Sequence, residues 1–261
     1  TRTAGVRPAF RPGGSRSRAE MESLQGDIAR AAVFEDDSDF DPARISAPSD
    51  DSAQRRLGDE SPIVAGVDQA FLDDDRAVSA AVALRDGEVI ETVTAVRETA
   101  IPYIPGLLSF REGSAVLAAV ESLSVDPDVL LVDGSGRIHY REAGLATHVG
   151  VTLDCPAVGV AKNLLCGRPR DPLPDRMAEG DRVAIEADDE VTAPEGTVIG
   201  YFFQSRQYES GSTSINPLVV SPGHRVGAET AVDVVARCCA GYKLPEPTRL
   251  ADAAAGEATG E

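Results

Sequence analysis

The apolar pattern of this chain changes period partway along, and that change limits the folds open to it. The run Ile63 to Phe71 is nearly continuous in apolar residues and is bounded by Pro62 and Asp73-Asp74-Asp75, which reads as a buried strand. Two β-rich runs follow, Ala77 to Leu84 and Val89 to Val96, joined by Arg85-Asp86-Gly87-Glu88. An Asp-Gly dipeptide between such runs is a hairpin signal, so these three strands are expected to form an antiparallel meander. Beyond Ile101-Pro102-Tyr103-Ile104-Pro105-Gly106 the spacing becomes helical over Ser109 to Leu123, with Ser109 and Glu112 placed as a capping box. Short apolar strands at Val129 to Val132 and Ala157 to Ala161 then alternate with a helical segment near Glu142 to Val151, which requires parallel crossovers. Strands at Arg182 to Ala187, Thr197 to Gln204 and Leu218 to Val220 and a helix from Ala228 to Ala240 complete the set. The expected fold is α/β: one central mixed sheet, a three-stranded antiparallel meander plus parallel strands, flanked by helices.

Hydrophobic residues make up 42% of the 261, enough to bury a core, and no run of about 18 apolar residues exists to span a membrane. The net charge is -18, and a polyanion partner normally leaves a basic footprint, so the charge alone argues against nucleic acid. The type of charge alters that reading. Lys162 and Lys243 are the only lysines among 25 basic residues, and acids cluster in runs. In about 1 M salt the Debye length shrinks to roughly 3 Å, so a carboxylate-rich surface costs little stability. The acidity is therefore read as adaptation to molar salt. Cys155, Cys166, Cys238 and Cys239 form no CxxC pair and are read as reduced thiols of a cytoplasmic protein. Residues 1–20 carry five arginines with no apolar segment after them, and are expected to be a disordered or mis-assigned extension without a secretory leader. The expected division is a partly disordered extension over 1–60, acidic after residue 20 and with one helix from Glu22 to Val33, then a catalytic domain over 61–252 and a disordered tail over 253–261.

Two aspartates stand out by placement. Asp68 lies within a buried strand and Asp133 at the end of another, and an ionised carboxylate in such a position is costly unless it is paired or binds a metal. Ligands of open α/β sheets bind beyond strand ends. Asp68, Glu112 and Asp133 are therefore candidates to converge on a hard cation, Mg²⁺ or Mn²⁺. Singly, each has an alternative reading as a cap or turn residue. Lys162 follows a strand, and a compact ammonium in an arginine-rich chain marks it as a site candidate, a structural ion pair being the alternative. His224 lies in Ser221-Pro222-Gly223-His224-Arg225 ahead of a helix, a loop expected to fix its side chain.

In order, Val64-Ala65-Gly66-Val67-Asp68, Pro102-Tyr103-Ile104-Pro105-Gly106-Leu107-Leu108 with Phe110-Arg111-Glu112, Leu131-Val132-Asp133-Gly134 with Gly136 and His139, Val158-Gly159-Val160-Ala161-Lys162, and Val220-Ser221-Pro222-Gly223-His224-Arg225 resemble the motifs of the endonuclease V family. The stretch Tyr242 to Asp252 is similar to that family's closing segment, so the resemblance covers about Ile63 to Asp252. It implies a ribonuclease-H-like fold and a Mg²⁺-dependent nuclease, Mn²⁺ substituting, that cuts DNA at the second phosphodiester 3′ to deoxyinosine and leaves 3′-hydroxyl and 5′-phosphate ends. It further implies that Asp68, Asp133 and Glu112 bind the metal and that Lys162 acts on the scissile phosphate. It places His224 beside the metal and His139 near a phosphate, with Pro102, Tyr103, Ile104 and Pro105 forming a wedge that fills the gap left by the displaced base. Gly106, Leu108 and Gly134 are candidates for the base pocket. Ser135 and Tyr140 depart from the commoner family residues. Inosine in RNA is the alternative substrate, and lesion binding without catalysis the alternative function. A monomer is expected, with Arg111, Arg137, Arg141 and Arg225 making the rim of the site less negative than the remaining surface.

Overall fold

The structure is a computed structural model, and it describes residues 6–13, 15–46, 61–73, 75–99, 101–207 and 216–260. One nine-stranded sheet organises them, in the order β3-β2-β1-β4-β5-β9-β8-β7-β6. The meander is β1 (Val64–Asp73), β2 (Arg76–Arg85) and β3 (Glu88–Glu98), paired antiparallel. β4 (Val129–Asp133) runs parallel to β1, and β5 (Ala157–Ala161) parallel to β4. The helices α2 (Leu108–Ser122) and α3 (Leu145–Leu153) supply these two crossovers. The remaining strands, β6 (Arg168–Pro169), β7 (Arg182–Glu186), β8 (Val198–Phe203) and β9 (Leu218–His224), are antiparallel to their neighbours, so the parallel part is confined to three central strands.

Side chains alternate across the sheet, and both faces are covered. Leu130 and Val132 of β4 pack on one side with Ala65 and Val67 of β1 and with Val116, Ala119, Leu145 and Val149 from α2 and α3. Val129 and Leu131 face the other side with Val64, Val158 and Val160, against Val232 and Val235 of α4 (Ala228–Arg237). A period of two on a strand buried on both faces is what produces the near-continuous apolar runs.

Several expectations need correction. Residues 18–31 form helix α1 (Arg18–Ala31), which starts before Met21 and carries a capping box of Ser17 and Glu20. The Arg7 N–H donates to the Thr152 carbonyl at 2.7 Å, so the described part of the extension packs on the body. The tail is also ordered: α5 (Glu246–Thr259) lies across β1 and β2, burying Ala251 against Val82 and Leu84. Its first turn approaches the sheet so closely that a Cβ on Gly66 would lie 2.0 Å from the Pro247 carbonyl carbon. Ser109 is not an N-cap; α2 begins one residue earlier and the Ser109 hydroxyl is buried without a partner. All four cysteines are free, as expected, three of them buried. No helix among the described residues is long and apolar enough to cross a membrane. Most of the loop Arg206 to Asn216 lies outside the described residues.

Candidate active site

Register brings the first two carboxylates together. Val64 to Val67 of β1 pair in parallel with Val129 to Val132 of β4, so the next residue of each strand, Asp68 and Asp133, stand side by side at the carboxyl edge. The Asp68 backbone is held by the Ser79 hydroxyl, which donates to its carbonyl at 2.9 Å, and its Oδ1 accepts the Gln69 N–H at 2.7 Å. Burial and the Asp133 charge push Asp68 well above the usual carboxylate range. Burial raises Asp133 as well, opposed by the positive charge of Lys162 just beyond β5.

Glu112 reaches the same edge from the second turn of α2. Burial pushes it up to about 7, with Arg111 opposing and Asp133 reinforcing the shift. Its Oε2 is buried with no hydrogen-bond partner, as is Oε1 of the neighbouring Gln69. Arg111 itself stacks on Phe71, with the guanidinium 4.6 Å from the ring centroid. Sequence reasoning missed a fourth carboxylate, Asp252 on α5, whose side chain meets Asp68 and whose charge reaches Asp133. It was hidden because the segment carrying it was read as the end of the domain and not as a helix lying on β1. Among the described residues no three His, Cys, Asp or Glu side chains stand close enough to hold an ion as they are.

Beside Asp133 opens a cleft of about 360 Å³ lined by Tyr103, Gly106, Leu108, Gly134, His139 and Lys162, among others. Three of the proposed functional groups thus share one opening: the wedge tyrosine, the base-pocket candidates and the lysine. Tyr103 is 64% exposed, projecting from the loop between partly buried Ile101 and Ile104. His139 reaches the cleft, but both of its ring nitrogens are engaged: Nε2 lies 3.0 Å from the Gly106 carbonyl and Nδ1 accepts the Arg141 N–H at 3.1 Å. Burial lowers its pKa to about 4, so it is neutral and holds the loop.

His224 is the sequence-derived site residue that the fold puts elsewhere. β9 continues through Ser221-Pro222-Gly223-His224 instead of ending in a loop, and its antiparallel pairing sets His224 against Ala157, at the amino end of β5. There it is fully buried, accepting the Val33 N–H at 3.2 Å on Nδ1, with Nε2 3.2 Å from Asp154. Arg225 follows it to that end and pairs with Asp154 at 3.0 Å and with Asp37 at 3.3 Å. Of the other expected rim arginines, Arg111 adjoins Glu112, Arg137 is taken up by Glu142 at 2.9 Å and Arg141 by Glu22 at 3.1 Å.

The mixed sheet, with its antiparallel meander, parallel centre and covering helices, is of the ribonuclease-H-like class, and Asp68 on β1 stands beside Asp133 at the end of β4 within it. Residues 49–253 match the family model for endonuclease V, and the chain belongs to that family. It is 62% identical over 262 residues to the endonuclease V of the halophilic archaeon Haloarcula marismortui, covering 97% of this chain and 96% of that one. The crystal structure of the Streptomyces avermitilis endonuclease V is similar with a TM-score of 0.74 at 29% identity, covering 98% of this chain and 97% of that one. That of the Ciona intestinalis enzyme, in complex with a 24mer DNA containing an inosine followed by a ribo-adenosine, has a TM-score of 0.66 at 22% identity, covering 92% of this chain and 96% of that one.

Proposed function

We propose that this chain is a repair endonuclease that hydrolyses the second phosphodiester 3′ to deoxyinosine in DNA, leaving 3′-hydroxyl and 5′-phosphate ends. The observation that carries the proposal is the cleft in which Asp133 and Lys162 share one lining with the protruding Tyr103 and with Gly106, Leu108 and Gly134, while Asp68 and Glu112 lie next to Asp133. Membership of the endonuclease V family and the Ciona complex with inosine-containing DNA support the substrate.

The residues fit a hard divalent cation. All four acids offer oxygen, Glu112 Oε2 is buried and unpartnered, and burial drives Asp68 and Asp133 toward protonation, an effect that Lys162 only partly offsets at Asp133. Asp68, Asp133 and Glu112 would hold Mg²⁺, with Mn²⁺ as a substitute, and Asp252 would stand beside them. Such an ion lowers the pKa of water and stabilises a leaving oxygen. The chain's own groups do the remaining work. Lys162 places positive charge at the mouth of the cleft for the scissile phosphate. Tyr103 replaces the stacking of the base that leaves the duplex, and its flanking prolines pre-order the loop so that little entropy is lost on insertion. Displacing a base costs a few kcal/mol, less at a mispair, which adds selectivity. The recess at Gly106, Leu108 and Gly134 would receive hypoxanthine, which lacks the 2-amino group of guanine and carries a 6-oxo group absent from adenine.

The negative surface agrees with this reading once the solvent is considered. Phosphate neutralisation loses affinity steeply as salt rises, so in molar KCl recognition must rest on stacking, pocket shape and the metal bridge. We read the enzyme as a cytoplasmic monomer, the four free thiols suiting a reducing compartment. The test is single-turnover nicking of an end-labelled deoxyinosine duplex across 0.1 to several molar KCl, with Mg²⁺, Mn²⁺ or EDTA, against the matching inosine RNA. Cleavage two bonds 3′ to the lesion that needs the cation is the expected result. Faster cleavage of the RNA would reassign the substrate, and binding without nicking in any condition would remove the enzyme reading.

A further inference from the structure

Helix α1 precedes the segment that matches the family model, yet it packs directly beneath the loop that carries Tyr103. Its Met21, Leu24 and Ile28 are buried with Leu107 and Phe110, and Ile101 and Ile104 of the loop lie against the same cluster. One residue of this apolar face is polar. Gln25 is fully buried, and its Nε2 donates to the Gly106 carbonyl at 2.7 Å. That oxygen is also 3.0 Å from His139 Nε2, so it accepts from two side chains, one from the N-terminal helix and one from the segment after β4. Gln25 Oε1 in turn accepts from Arg141 Nη1 at 3.3 Å, and Arg141 is itself tied to Glu22 of α1 at 3.1 Å. The amide of Gln25 therefore has one satisfied orientation, and His139, with Nδ1 accepting the Arg141 N–H, has one satisfied tautomer.

The cost of this arrangement bears on its purpose. A buried amide that loses a partner is left with an uncompensated desolvation cost, whereas a leucine or methionine on this helix face carries no such liability. The bond goes to the one residue of the loop in a left-handed conformation, Gly106, at φ +79°, where the chain turns into α2. The Leu107 N–H, across the same peptide unit, donates to the Ile104 carbonyl at 3.0 Å. The peptide unit at the base of the loop is thus fixed at both ends, and Tyr103 stands three residues away on a short arm whose two isoleucines are anchored on α1.

We propose that Gln25 is a positioning residue: together with His139 it grips the Gly106 carbonyl and so sets the height and direction of the Tyr103 loop over the cleft. The N-terminal helix thereby becomes part of the lesion-recognition apparatus and not merely a cover for the core. This rests on the reading of Tyr103 as the wedge.

The experiment is a double-mutant cycle of Gln25→Met and Tyr103→Ala, read by single-turnover nicking of a deoxyinosine duplex at saturating enzyme. Fluorescence of a 2-aminopurine beside the lesion serves as an independent report of unstacking. Small misplacements of a positioning group cost on the order of 10-fold to 100-fold in rate, so Gln25→Met is expected to slow nicking about 10-fold and to suppress the fluorescence rise in parallel. In the Tyr103→Ala background the same substitution should cost less than about 2-fold, because its effect passes through the ring already removed. Equal losses in both backgrounds, or no loss in a protein that melts normally, would overturn the proposal. A Tyr103→Ala enzyme that nicks at full rate and unstacks normally would instead sink the wedge reading. Should Gln25→Met fail to give a cooperative melt, Arg141→Met, which frees the Gln25 amide from a partly exposed position, goes through the same cycle with an expected loss of about 3-fold and the same criteria.

Discussion

Where β4 ends beside the middle of β1, Asp133 and Asp68 stand together, with Glu112 and Asp252 close by, and burial plus neighbouring carboxylates push Asp133, Asp68 and Glu112 up. At the opposite end of the sheet Asp154 is surrounded by His224, Arg225 and Arg7, at 3.2, 3.0 and 2.9 Å. Burial works against that carboxylate too, but the His224 hydrogen bond and the two guanidinium charges outweigh it and hold Asp154 below its ordinary range. The same residue type is thus left electrostatically unsatisfied at one end and fully satisfied at the other. The second arrangement ties the chain together, joining residues 7, 33, 154 and 224. The first has a net attraction for a cation, and it is there that the cleft opens.

The contrast is exposed to several measurements. The largest expected effect is that of Asp133→Asn, which should cut nicking by at least about 10³-fold while raising the melting temperature, because a buried like charge is removed. A loss of activity accompanied by a lower melting temperature would contradict the strained reading of that end. Next in size, Asp154→Ala should destabilise the protein by about 2 kcal/mol, since a buried imidazole and two guanidinium groups lose their partner, yet leave nicking by the folded fraction within about 2-fold. His224→Gln belongs to the same class. If it abolished nicking without lowering stability, the assignment of His224 to the structural end would be wrong.

A pH series sharpens the comparison further. His148 lies under the N-terminal segment, its Nε2 2.6 Å from the Phe10 carbonyl, and burial lowers its pKa to about 4. Its folded value is below the unfolded one of about 6.5, so its contribution is complete above pH 6.5 and is lost as the pH falls toward 4. His139, also lowered to about 4, has the same sign. Thermal melts should therefore fall across that window, and His148→Gln should flatten the fall. An identical slope in the variant would remove His148 from the account. The smallest effect expected is stabilisation by the cation itself. At ten times its dissociation constant, Mg²⁺ should contribute about 1.4 kcal/mol, a shift of a few degrees that Asp133→Asn abolishes and Asp154→Ala retains.

The central strands were legible because their apolar runs, broken by Asp-Gly and proline, have no other stable reading. Asp68 and Asp133 were legible for a related reason: an acid inside such a run demands an explanation. The role of Tyr103 came only through the family resemblance, since an aromatic between two prolines carries no periodic signal. Three things stayed hidden, and each depends on tertiary placement. The segment from Ser221 to His224 has the composition of a turn, but pairing with β5 extends it as a strand and carries His224 to the end of the sheet away from Asp68 and Asp133. The tail after Asp252, rich in alanine with scattered acids, has little apolar periodicity, and its helix is held by the close fit on β1 and β2. Gln25 carries no signal in the sequence, because its partner, the Gly106 carbonyl, lies 81 residues further along the chain.

That close fit has a consequence for which substitutions the molecule can tolerate. Gly66 contributes only a hydrogen atom where α5 crosses β1, and even the methyl group of alanine would overlap the Pro247 backbone. Forcing the helix outward there would also draw Asp252 away from Asp68. Gly66 therefore works as a spacing gauge between the last helix and the first strand, so that a residue with no side chain fixes how tightly the acids of the site are crowded.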